Sequence, residues 1–183
     1  MEYFKKIIKE SIIVILITAV IGFCTGSFLS ANEDILYYVP VILIILPALN
    51  DTIGDVSTII VSRLTTHLFL GIIDPKIRIS KRLTDDFFSL LIIIILCSIT
   101  ILVLGYIIAF FTGIPLANPF LIIFIILLSG MFLFTVLSIF LFVGAIYLFK
   151  KGHDPNNFLI PIATTLADFL TPISVIFLVI IFI

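Results

Sequence analysis

Long apolar runs alternate with short polar connections along this chain. A helix that crosses a bilayer needs ~20 mostly apolar residues, and the runs at about 11–30, 36–62, 87–111, 119–149 and 157–183 meet that length. The runs are continuous and lack a period of two, so they do not fit the strands of a membrane barrel. The pattern predicts an all-α integral membrane protein, with five transmembrane helices forming one domain over residues 1–183. The second and fourth segments exceed the hydrocarbon thickness, so tilting, kinking or protrusion is expected. Pro47 and Gly54 mark the expected kink in the second, and Gly130 and Gly144 that in the fourth. Residues 64–86 are basic, mixed and partly apolar, and are expected to form an interfacial amphipathic segment.

Composition agrees: 62% of residues are hydrophobic and 11% charged, more apolar surface than a soluble domain of 183 residues could bury. No long hydrophilic block accompanies the apolar runs. The first run lacks a small-residue cleavage site and is read as a retained helix. Cys24 and Cys97 lie within apolar runs and are expected to be small buried hydrophobes. Charge placement says more than the net charge of −1. Lys5, Lys6 and Lys9 precede the first segment. Arg63, Lys76, Arg78, Lys81 and Arg82 lie between the second and third, and Lys150 and Lys151 between the fourth and fifth. All ten basic residues thus fall on one side. The excess of Lys and Arg on cytoplasmic loops then places the N-terminus inside and the C-terminus outside the cell membrane.

Of the eleven acidic residues, eight lie at ends or in connections, Asp86 among them; Asp51, Asp55 and Asp168 lie within apolar segments. A carboxylate at the bilayer centre costs about 2.5–3.5 kcal/mol on insertion scales. No Lys or Arg is expected at the same depth, since Arg63 lies two turns beyond Asp55 and is expected to snorkel to the surface. One such carboxyl can be structural and protonated. Three together would repel one another, and a cation from outside the chain would relieve that. Asn50, Asp51 and Asp55 on the second segment, and Thr164, Thr165 and Asp168 on the fifth, offer an all-oxygen set. Oxygen suits hard cations such as Mg²⁺ or Ca²⁺, whereas soft metals want thiolate or imidazole. The competing readings are that the threonines bond back to their own helix, and that Pro47 and Gly54 serve only kinking or packing. His67 and His153 are read as interfacial residues.

Two stretches carry a family resemblance. PALNDTIGDVSTIIVSRLTT, from Pro47, resembles the signature of the MgtE-type magnesium transporter membrane domain. It resembles the eukaryotic solute-carrier relatives more closely still, in the spacing of Pro47, Gly54 and Ser62-Arg63-Leu64-Thr65. DPNNFLIPIATTLADFL, from Asp154, is similar to the second signature, in which Asp-Pro is followed by Pro, a Thr-rich step and Asp. The resemblance implies the five-helix domain, paired as a parallel two-fold homodimer around a pore. It implies that Asp168 is the acidic residue binding Mg²⁺, and that Asp154-Pro155 is the cytoplasmic turn opening the last helix. Pro47, Gly54, Asp154 and Pro155 are the expected structural and gating positions. Asp55 departs from the family, which usually has Asn there, and the chain lacks the cytosolic regulatory domains of the bacterial members.

The reading is a channel or transporter for a divalent cation, magnesium foremost, with no enzymatic activity and no nucleic-acid partner. The alternative is an intramembrane aspartyl protease, which uses two membrane aspartates and a Pro-Ala-Leu motif. Pro47-Ala48-Leu49 and Gly54-Asp55 match it partly, but Thr52 replaces its first Gly and Pro-Ala-Leu precedes the aspartates instead of following them. A non-catalytic assembly subunit is a third class, supported only by the small size.

Overall fold

A computed structural model describes residues 2–78 and 80–183 of the chain. The order is α1 (Glu2–Ala31), α2 (Glu33–Tyr38), α3 (Val41–Phe69), α4 (Lys81–Thr112), α5 (Pro119–Lys150) and α6 (Pro155–Phe182). Among the described residues, α3, α4, α5 and α6 are long and apolar enough to cross a membrane, whereas the apolar part of α1, Ile15–Ala31, is shorter. The side chains of Lys5, Lys6 and Lys9 lie outside the described set.

Local chemistry explains most of the boundaries. Proline has no amide hydrogen and cannot continue a helix from within. Pro40 accordingly separates α2 from α3, and the segment expected at 36–62 begins at Val41 instead. The Ser80 hydroxyl accepts from the Leu83 amide at 3.3 Å and starts α4 ahead of the expected 87. Asn118 and Asp154 cap α5 and α6 in the same way, each followed by a proline at the first helical position.

The expected interfacial helix within 64–86 is not formed. Residues 64–69 extend α3, residues 81–86 open α4, and the described chain between them is turns. Gly71, at φ +67°, takes a left-handed conformation that ends α3, and the amides of Ile72 and Ile73 fold back onto the His67 carbonyl.

Helix α3 is the centre of the bundle, packing against α4, α5 and α6, while α1 lies along α6. Its inward side, Ile45, Leu49, Ile53 and Val61, is fully buried against Leu90 and Ile94 of α4, Ile126, Phe134 and Leu141 of α5, and Ala163 and Ala167 of α6. Exposed Ile92, Leu96, Val103 and Ile107 cover the opposite side of α4, as a lipid-facing helix requires. Glycines set the closest approaches. A Cβ on Gly105 would lie 2.6 Å from Ile45 Cγ1, so α3 and α4 touch there only because the side chain is absent. Helix α5 runs unbroken through Gly130 and Gly144, which pack against Ile94 and Leu159 respectively. They are contact positions within a continuous helix.

Candidate functional site

Polar groups gather where α3 crosses α6. Helix α3 buries Ile53, Gly54, Val56 and Ser57 and leaves Asp51 and Asp55 exposed, one turn apart on one face. Helix α6 buries Ala163 and Ala167 and leaves Asp168 exposed. The helices approach at Gly54, where a Cβ would meet Ala167 at 3.8 Å and the Thr164 backbone at 3.9 Å. That closeness lets Asn50 reach across. Its Nδ2 donates to Asp168 Oδ1 at 2.6 Å, a short, charge-assisted bond between positions 118 residues apart. Asn50 Oδ1 is buried without a partner.

Among the described residues, no basic side chain pairs with Asp51, Asp55 or Asp168. No three carboxylate, imidazole or thiol groups converge as a metal cage either. One copy of the chain therefore presents its carboxylates as an open surface. Pro172 adds an acceptor. It lies four residues after Asp168 and has no amide hydrogen to offer the Asp168 carbonyl, which loses its helical partner. Pro47 does the same to the carbonyl of Leu43 in α3.

The other expected site residues divide. Thr164 Oγ1 donates to the Pro161 carbonyl at 3.0 Å, and Thr165 Oγ1 to the same carbonyl at 2.7 Å. Both hydroxyls thus bond back within α6, as Thr commonly does in membrane helices. Thr164 stays beside Gly54 with its oxygen lone pairs unassigned. Thr165 is buried and does not join the exposed face. Asp154 caps α6 through the Asn156 amide at 3.0 Å, and Pro155 is buried at its first turn, so both act at the helix start.

A second polar cluster forms where α3 meets α4. Asp86, assigned to a connection, is buried inside α4 at 6% exposure. Arg63, expected to snorkel to the surface, is half exposed and donates through Nη1 to Asp86 Oδ1 at 2.9 Å. His67, read as interfacial, is also buried, with Nδ1 at 3.3 Å from Asp86 Oδ2. That contact is too poorly aligned to count as a hydrogen bond, so both atoms keep unmet capacity. Arg82 Nε donates to His67 Nε2 at 3.4 Å and stands 4.0 Å from Asp86 Oδ2. An accepting Nε2 carries no hydrogen, which assigns the proton to Nδ1, on the Asp86 side.

The geometry gives the protease reading no support, since Asp168 bonds an amide, and among the described residues no second carboxylate hydrogen-bonds to it. A family model described as a divalent cation transporter, MgtE, matches residues 46–179. The chain belongs to the MgtE divalent cation transporter family. The match begins just before Pro47 and ends near the close of α6, so it contains the whole crossing of α3 and α6. MgtE proteins are transporters, which agrees with a carboxylate-bearing helical surface. No curated protein and no solved structure matches the chain.

Proposed function

We propose that this MgtE-family chain carries a divalent cation, Mg²⁺ foremost, along the face formed by α3 and α6, with Asp168 as the principal contact. The observation that carries this reading is the Asn50–Asp168 bond, which holds one carboxylate at the crossing of α6 with the helix whose Asp51 and Asp55 have no basic partner among the described residues. Three ionised carboxylates facing lipid would cost roughly 7.5–10.5 kcal/mol on insertion scales. Pairing two copies face to face, as a parallel homodimer, removes the groups from lipid and doubles the charge available to a passing ion. Helix α1 then acts as a fifth span, with the N-terminus in the cytoplasm and the C-terminus outside. Asn50 orients Asp168 much as outer-shell partners orient metal ligands. The Asp168 carbonyl freed by Pro172 and the Thr164 oxygen complete an oxygen-only path suited to a hard, partly hydrated cation.

The test is flux into protein-bearing liposomes across a panel of Mg²⁺, Mn²⁺, Co²⁺ and Ca²⁺, with and without proton and sodium gradients. Mg²⁺ entry that exceeds protein-free liposomes supports the reading. No divalent flux under any gradient, from protein that is inserted and dimeric, contradicts it.

A further inference from the structure

A cavity of about 370 Å³ opens between α3, α4 and α5, one wall of which is the ion pair of half-exposed Arg63 with buried Asp86. That volume lies within the ~300–1,000 Å³ of small-molecule sites. Its other walls are apolar, chiefly Ile60, Leu64, Phe87, Ile139, Phe142 and Val143. Ile139 and Val143 are exposed, so the mouth opens on the outer surface of the bundle, within the apolar length of α5. Two observations show that the site is polar at one end and incompletely satisfied. Ser138, 5% exposed, lines the cavity with a hydroxyl that has no partner. And two guanidiniums, Arg63 in the cavity wall and Arg82 next to the lining residue Leu83, share the single carboxylate of Asp86 while His67, outside the lining, accepts from Arg82, which leaves one positive charge in excess at the cavity's edge.

We propose that this cavity binds an anionic phospholipid of the surrounding membrane, with one acyl chain between α3, α4 and α5 and the phosphate against Arg63 and Arg82. Apolar walls open to the hydrocarbon fit a chain and exclude a free polar solute. The half-exposed guanidiniums, at 45% and 59% side-chain exposure, are placed to meet a headgroup oxygen without leaving Asp86. Basic pockets between membrane helices on the cytoplasmic side are the places where anionic headgroups are held. The choice of leaflet rests on the orientation proposed above; the site itself does not depend on the ion path.

Native mass spectrometry of the purified protein, titrated with dioleoyl phosphatidylglycerol or dioleoyl phosphatidylcholine, tests the proposal. We expect the anionic lipid to be retained about fivefold better, the factor that one juxtamembrane basic residue supplies. Arg82→Gln should bring the two lipids to near parity, and Ile139→Trp, which plugs the mouth from an exposed position, should lower retention of both. Equal retention by the parent protein overturns the proposal. So does a preference that survives both substitutions. If Ile139→Trp instead converts dimer to monomer with lipid retention unchanged, a second copy covers the cavity and the lipid assignment is wrong.

Discussion

Replacing Arg63 by alanine would leave Asp86, whose side chain is 8% exposed, without its 2.9 Å partner. Breaking a fully buried ion pair from one side costs ~3–5 kcal/mol, because the orphaned charge stays desolvated. Here Arg82 already stands 4.0 Å from the same carboxylate, and Arg63 itself is half exposed, so about 1.5–3 kcal/mol is the better figure, that of one hydrogen bond to a charged group. Asp86→Ala removes the buried charge itself. The two guanidiniums it leaves can turn to water, and the cost should be about 1 kcal/mol. The double replacement should therefore resemble Asp86→Ala and be more stable than Arg63→Ala alone. Thermal unfolding of the four proteins in one detergent gives the cycle directly. A coupling of ~1 kcal/mol or more is expected from neighbours in one network. If the double replacement loses the sum of the single losses, the pair does not interact and the burial of Asp86 is not maintained by Arg63.

Three further outcomes follow from the packing and the charge pattern. Gly105→Ala should cost ~1–3 kcal/mol by overpacking, because the new Cβ meets Ile45 at 2.6 Å, and Ile45→Ala should relieve part of that loss in the same unfolding assay. Gly54→Ala should keep the fold, since its Cβ finds ordinary contact distances, whereas Gly54→Leu should drive α3 from α6 and lower flux by breaking the Asn50–Asp168 reach. With Cys24 and Cys97 replaced, a cysteine at position 78 should react only after the membrane is opened; ready labelling from outside intact cells contradicts the orientation.

How much of this was readable beforehand follows the distance over which each feature is decided. The starts of α5 and α6 depend on Asn118-Pro119 and Asp154-Pro155, which lie side by side in the chain, and the apolar pattern placed both within a few residues. Pro40 is equally local, yet it sits inside an apolar run, and the apolar pattern alone does not mark the short α2 that it closes off. Pro172 was visible four residues after Asp168, but its effect is on a backbone carbonyl and not on a side chain. Asn50 and Asp168 stood out as polar residues in apolar segments; the bond between them depends on how α3 and α6 cross, which no local pattern states. Asp86 was misplaced for the same reason. Its neighbours in sequence read as a helix start, and only the packing of α4 on α3 buries it against Arg63 and His67. Gly105 has no sequence signal at all apart from being a glycine, because the contact it permits is made by Ile45.

Transport by this chain, as proposed, takes the cation past Asp168. Mg²⁺ entry into liposomes, read by an entrapped magnesium-sensitive dye, compares the parent protein with Asp168→Asn and Asp55→Asn at matched insertion and dimer content. An amide keeps the shape and one oxygen of each side chain while removing its charge, and low-dielectric surroundings screen that loss weakly. Asp168→Asn should lower flux at least about tenfold, a loss of ~1.4 kcal/mol, and Asp55→Asn should be milder. Normal flux in Asp168→Asn together with a dead Asp55→Asn would contradict the account and move the ion onto α3.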